Sequence, residues 1–462
     1  MRNILYFIVL TILLISMSAA LRSPDDPKYV ENEILVKLSP GISSQDADNV
    51  FKTVGAHAIQ VFPTINVFRL QLKSDVTVDQ ALKEVRLLSN IVYAEPNYIY
   101  SIEVTPNDPN FDRLWAMQNL GQTGGLAGAD IEAPQAWDIS VGSPAVIVGV
   151  VDTGIDYTHV DLAANIFTNP LEDAWANPSD PSSGNGIDDD GNGKIDDWKG
   201  WNFYSDNNNP YDDNMHGTHC AGTIGAIGNN GVGVAGVCWQ VKLVPLKFLD
   251  SRGSGSTSAA IDAILYAADL GVDVLSNSWG GGGYSAALED AIEYANNKGV
   301  LFVAAAGNDG TNNDDLPNYP SNYETINVIA VAASDHSDKL AVWGSDGGDD
   351  NNDCGLICSS ATAAVPGSNY GRTSVDLAAP GKNIFSTAPG SDYTTLSGTS
   401  MATPHVAGAA ALLLAVQPNL SVTELKNALL STVDKLDDFT NKVVTGGRLN
   451  IAAAVKSVAP TP

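Results

Sequence analysis

Four short stretches carry residue types suited to chemistry. Val150-Val151 runs into Asp152-Thr153-Gly154. His216-Gly217-Thr218-His219 opens a second stretch, and Val300 to Ala306 ends in Gly307-Asn308. The fourth is Gly398-Thr399-Ser400-Met401-Ala402-Thr403-Pro404-His405. Taken singly, each has a plain reading. An Asp at a strand end is often a turn residue, and a Ser opening a helix is usually its cap. Together they meet the needs of acyl transfer. A Ser hydroxyl is a poor nucleophile until an imidazole takes its proton. The imidazole needs a carboxylate to fix its tautomer and stabilise its cation. A tetrahedral oxyanion needs donors, and a side-chain amide such as that of Asn308 is one. The helix opened by Ser400 also aims backbone N–H groups at developing negative charge.

Such residues need elements that hold them. From Val146 onward, continuous apolar runs alternate with helical stretches. Strands are expected at 145–151, 241–248, 272–277, 300–306 and 326–332, with helices at 256–270 and 285–297. Fully apolar strands followed by helices predict a doubly wound, mostly parallel sheet, an α/β fold. Ligands in such sheets bind beyond the carboxyl ends of the strands, where the four stretches fall. Residues 28–100 read instead as a small ferredoxin-like α+β unit: strand 29–38, helix 45–54, strand 61–72, helix 78–88, strand 91–100. A Pro/Asn/Asp run near Thr105 marks the boundary.

The chain has 462 residues with 24 Lys plus Arg against 53 Asp plus Glu, a formal charge of -29. Nucleic-acid binding by phosphate neutralisation is excluded at that balance, and stable association with an anionic membrane is disfavoured. The charge is uneven: residues 1–100 hold 9 basic and 10 acidic side chains, the remainder 15 and 43. Arg2, an apolar run from Ile4 to Met17 and the small residues Ser18-Ala19-Ala20 read as a signal peptide, residues 1–20, cut after Ala20. No later segment reads as apolar enough to span a membrane. Four Cys do not make a disulfide scaffold, although Cys354 and Cys358 are close enough in sequence for a local bridge.

The order Asp, His, Ser, with VVDTGID, HGTHCAGT, AAAGND and SGTSMATPHVAGAAAL, resembles the subtilisin-like serine proteases over nearly all of residues 105–455. PNDP near the start and the loop from Ile227 to Gly236 resemble the thermitase-like branch. The resemblance implies a secreted serine endopeptidase in which Asp152 orients, His216 is the base and Ser400 the nucleophile. Asn308 and the Ser400 N–H would form the oxyanion hole. It further implies a peptide groove edged by Ser278, Trp279 and Gly280 on one side and by Ala304, Ala305 and Gly307 on the other. Asn318 would floor the first specificity pocket, expected to be uncharged and to take large apolar side chains. His219 and His405 lie beside the motifs; an H-x-x-H metal pair is the rival reading, with no third His, Cys or Glu ligand nearby.

Residues 21–103 resemble the family's inhibitory, folding-assisting pro-segment, ending in Ile91-Val92-Tyr93-Ala94-Glu95-Pro96-Asn97-Tyr98. Residues 104–462 would be the catalytic domain, released by a cut of its own between about Tyr100 and Val104. The segment 344–367 is an acidic insertion relative to the family pattern. Partners are expected to be peptide substrates and the pro-segment, and the product a monomer. A non-catalytic binder on this fold, or an esterase with the same triad, are the alternatives.

The acidic excess suits Ca²⁺. Asp188, Asp190, Asn192, Lys194 and Asp196 stand at alternate positions of an EF-type loop with Gly193 at its turn; Lys199 stands where the closing Glu would be. A second Ca²⁺ site is implied by the resemblance alone: Ile227, Asn230, Val232 and Val234, with Asp161 and Asp108. Asp206, Asn208 and Asp212 are a possible third.

Overall fold

The computed structural model describes residues 29–42, 44–88, 90–98, 105–343 and 366–460. The expected signal segment, the Tyr100–Val104 cut, the Cys354/Cys358 pair and most of the acidic insertion lie outside them. The chain divides into two compact units, Met1–Ile102 and Glu103–Pro462.

The first unit runs β1 (Tyr29–Leu38), α1 (Ser44–Thr53), β2 (Ala56–Phe62), β3 (Val67–Leu72), α2 (Val78–Val85), β4 (Ile91–Tyr98). Its sheet has the order β2-β3-β1-β4, all pairs antiparallel. That is the ferredoxin-like arrangement, with one correction. Residues 61–72, read as a single strand, contain a turn: Pro63 opens it and Asn66 closes it at φ 55°. Proline cannot donate to a ladder, so the chain reverses there. Ile34, Val36, Leu70, Phe51 and Val85 fill the core.

The second unit runs α3 (Ala133–Trp137), β5 (Gly142–Asp152), β6 (Trp201–Asn202), α4 (His216–Gly225), β7 (Gln240–Lys247), α5 (Thr257–Leu270), β8 (Val274–Asn277), α6 (Ala286–Asn297), β9 (Leu301–Ala305) and β10 (Val328–Ser334). It continues with β11 (Leu377–Pro380), β12 (Ile384–Ala388), β13 (Asp392–Leu396), α7 (Thr399–Val416), α8 (Val422–Ser431), β14 (Asp434–Lys435), β15 (Gly447–Arg448) and α9 (Ile451–Val458). Nine strands form one sheet in the order β14-β15-β11-β10-β9-β8-β5-β7-β6. Every pair in it is parallel except β14 with β15. β5 reads as a buried run because both its faces are covered: α4 and α7 pack on one side of the sheet, α5 and α6 on the other. Ser256 and Ser285 cap α5 and α6, each accepting from the N–H three residues on.

Helix α7 corrects one expectation. Its 18 residues have a mean hydropathy of 1.4, apolar enough for a membrane span, yet they are 89% buried within the unit. It is the central core helix, and its apolar character on every side follows from burial on every side.

Candidate active site

Asp152 ends β5 with no exposed surface. Its Oδ1 accepts from Thr153 N (2.7 Å) and lies 2.8 Å from His216 Nδ1, with Oδ2 at 3.0 Å. His216 is the first residue of α4. Two glycines allow this approach: a Cβ on Gly217 would meet the Gly154 carbonyl oxygen at 2.1 Å. Burial acts to lower the His216 pKa, but the Asp152 carboxylate outweighs it and the net direction is upward.

Ser400 is the second residue of α7 and is 5% exposed. Its hydroxyl donates to the Ser278 carbonyl (3.0 Å), and the Ser278 hydroxyl donates to the Ser400 carbonyl (2.8 Å). No hydrogen bond to His216 is present in this rotamer. Such contacts often tighten only with substrate. Asn308 follows β9, and its Oδ1 accepts from Thr399 N (2.9 Å) and Thr399 Oγ1 (3.1 Å). That fixes the amide orientation, with Nδ2 unpartnered among the described residues.

The pocket beside Ser400 is lined by Trp279, Gly280, Gly281, Ala305, Gly307, Asn308, Asp309, Asn318 and Thr399. Two expectations change here. Ala304 is fully buried in the core on the α5/α6 side, because strand alternation turns it away from Ala305. And the pocket carries a carboxylate, Asp309, whose pKa burial raises. Trp279 packs its ring against Phe248 at 4.9 Å.

His219 and His405 are buried and neutral. Desolvation, the largest influence on each, brings His219 to about 3 and His405 to about 4. They bond separate carbonyls, Ile384 O and Met401 O, and neither joins a group of three candidate metal ligands among the described residues. Asp212, expected near a weak cation site, is instead the organiser of the His216 turn. It accepts from Thr153 Oγ1, Asn214 N, Met215 N, Thr218 N and Thr218 Oγ1. Asp206 pairs with Lys194, and Asn208 donates to Pro181 O, so the three share no centre.

The other two acidic loops fit a hard cation. Asp161 and Asp108 are both buried, and burial, the largest cause, raises both pKa values. Asn230 Nδ2, Val234 N and Tyr393 OH donate to Asp161; Asn229 N donates to Asp108 Oδ2, and Ile227 N to the Asp161 carbonyl. Val232 N donates to Asn230 Oδ1. Asp108 Oδ1 is buried without a partner, as a cation ligand would be. In the EF-like loop, Asp188 and Asp190 come within 4.8 Å of Glu172, measured between ligand atoms. Glu172 Oε2 is likewise buried and unpartnered. Asp196 is a correction: its carboxylate accepts from Asn185 N and Gly186 N and turns away from the cluster. The Lys194 ammonium pairs with Asp206, and Asn192 donates to Asp190 and Asp197. Glu172 precedes the loop by 16 residues and carries no motif, so only the folded chain brings it there.

Residues 143–447 match the profile of the subtilase family. The chain belongs to that family. Residues 16–97 of this subtilase match the fervidolysin N-terminal prodomain. A thermophilic serine proteinase from Bacillus sp. (strain AK1) is 34% identical over 432 residues, 92% of this chain and 88% of its own length. Thermitase from Thermoactinomyces vulgaris is 37% identical over 353 residues, covering 76% and 99%. Among solved structures, a Pseudoalteromonas arctica PAMC 21717 protease superposes with a TM-score of 0.57 at 30% identity, covering 77% of this chain and all of its own. Fervidolysin from Fervidobacterium pennivorans, described as a keratinolytic enzyme related to subtilisin, gives 0.52 at 26% identity, covering 95% and 62%. This subtilase is a serine endopeptidase with a prodomain.

Proposed function

We propose that Asp152, His216 and Ser400 form the triad, with Asn308 Nδ2 and the Ser400 N–H as oxyanion donors. The observation that carries this is the pairing of a fully buried Asp152 with His216 Nδ1 through both carboxylate oxygens. The Ser400 hydroxyl rotates from Ser278 O toward His216 Nε2 when a peptide enters. Nε2 takes its proton as Oγ attacks the scissile carbonyl carbon. Asp152 stabilises the imidazolium, which then protonates the leaving amine; water repeats the sequence to release the acid. A fluorophosphonate label on the mature protein should be recovered on Ser400; labelling elsewhere, or none, defeats the assignment.

The sign of the His216 shift gives a pH prediction. The base works only when neutral, so kcat/KM falls as pH drops through its pKa. With that pKa raised, the acid limb should lie above about 6.5, the ordinary imidazole value. Asp152→Asn should move the limb down; a limb unmoved by that change would separate His216 from the ionisation.

Asp309 modifies the expected preference of the pocket. Apolar side chains remain accepted along Gly280 and Ala305, and Lys or Arg gains a partner. Asp309→Asn should lower kcat/KM for a Lys substrate relative to a Leu one by roughly two- to fivefold, the worth of a part-exposed charge pair. An unchanged ratio would remove Asp309 from specificity.

The same reading covers the life of the protein. Residues 1–20 direct secretion, 21–103 fold and inhibit the enzyme, and 104–462, a monomer, are freed by a cut made by Ser400 itself. Two Ca²⁺ ions brace the product. One is held by Asp108, Asp161, Asn230 and the carbonyls of Ile227, Val232 and Val234, the other by Glu172, Asp188 and Asp190. The unpartnered buried oxygens of Asp108 and Glu172 support this.

A further inference from the structure

The loop that carries Asn308 has almost nothing with which to hold itself. Ala304, Ala305, Ala306 and Gly307 precede it, and Gly307 sits at φ 112°. Yet an oxyanion donor must stand about 2.7–3.1 Å from a moving oxygen. Thr399 fixes the side chain of Asn308; the backbone needs a separate anchor.

That anchor is the segment 367–370. It runs beside 309–312 with parallel bridges from Asp309 to Gly367 and from Asn312 to Tyr370. Gly310 N donates to Gly367 O, Tyr370 N to Thr311 O, and Asn313 N to Tyr370 O. Asn369, 1% exposed, is its centre. Its N–H donates to Gly307 O (2.8 Å), and its Oδ1 accepts from Asp309 N (2.9 Å) and Thr311 N (3.1 Å). Asn308 is thus bracketed by bonds from one side chain and its own backbone. Asn369 Nδ2 donates to Asn313 Oδ1 (3.0 Å), whose amide donates in turn to Ala306 O (2.8 Å). The Asn308 carbonyl itself accepts from Trp343 Nε1 (3.2 Å) and Gly367 N (3.3 Å). The contact is tight: a Cβ on Gly307 would meet Asn369 Nδ2 at 2.4 Å.

We propose that Asn369 is a positioning residue for the oxyanion hole, acting through the 307–311 turn to place the Asn308 amide. This rests on the oxyanion role of Asn308. Truncating Asn369 frees the N–H groups of Asp309 and Thr311 and lets the turn drift, while the backbone N–H of residue 369 still holds Gly307 O on one edge of the groove and the opposite edge at Ser278–Gly280 is untouched. Substrate binding therefore survives and the transition state suffers.

The test is a double-mutant cycle on the mature enzyme, with kcat expressed per site titrated by a fluorophosphonate. Asn308→Ala alone should lower kcat by about 10²–10³. Asn369→Ala should lower kcat between about 10- and 100-fold with KM little changed, the scale of a displaced catalytic group. In the Asn308→Ala background the same change should cost no more than about twofold, since the group it positions is gone. An equal loss in both backgrounds, or a loss confined to KM or to the number of titratable sites, overturns the proposal. If Asn308→Ala leaves kcat intact, the oxyanion reading fails first and this inference with it. If Asn369→Ala does not mature, Trp343→Phe enters the same cycle. It keeps an aromatic ring, removes the indole N–H from Asn308 O, and its kcat loss must likewise vanish with Asn308→Ala.

Discussion

Ser400→Ala is expected to lower kcat by on the order of 10⁶, leaving only what binding and the oxyanion donors provide. Adding His216→Ala to that variant should cost little more, because the two side chains act as one unit. The fold should persist. Ser400 is small, and the change removes one hydroxyl bond to Ser278 O, worth about 1 kcal/mol. The secreted precursor should then keep residues 21–103 attached, since the same hydroxyl is proposed to make the releasing cut. Mass measurement of the secreted Ser400→Ala protein decides between self-processing and a second protease. Ordinary turnover by the variant would end the triad assignment.

The second large effect is on stability. Ca²⁺ that binds only the native state stabilises it by mass action, about 2.7 kcal/mol per site at a hundredfold excess over Kd. For two sites, chelation should lower the melting temperature by on the order of 10 °C. Asp161→Asn should remove up to about half of the difference between melting with chelator and melting with Ca²⁺, because one of the two buried carboxylates proposed for that site is then gone. Glu172→Gln should remove a further, separate part. Identical melting of the parent protein in both conditions would refute the calcium reading. So would an Asp161→Asn protein that keeps the full difference.

What the sequence made legible and what it hid divide along a physical line. Asp152, His216, Asn308 and Ser400 sit in runs of small residues that close backbone approach demands, so their surroundings are local and readable. β5 and β9 were readable because burial on both faces leaves an apolar signature. Glu172, Asp212 and Asn369 had no such signature. Each acts through contacts made by the fold: Asn369 reaches a turn about sixty positions earlier, and Asp212 bonds Thr153 across a loop. Asp309 was adjacent to a recognised residue, but which wall it joined depended on the turn after Asn308. Residues 61–72 were misread as one strand because Pro63, the breaker within them, was passed over.

Helix α7 gives the nucleophile an uncommon kinetic situation. Ser400 opens the most deeply buried long element of its unit, so the α7 amides beyond its first turn should exchange with deuterium only through opening of the whole unit. The calcium loops, by contrast, open at the surface. An ageing population of this enzyme should therefore not pass through a weakened intermediate. Each molecule should keep full specific activity until a loop is nicked, and then lose all of it at once. Remaining activity would fall in step with the fraction of intact chains, at a rate set by encounters between molecules and so dependent on their concentration.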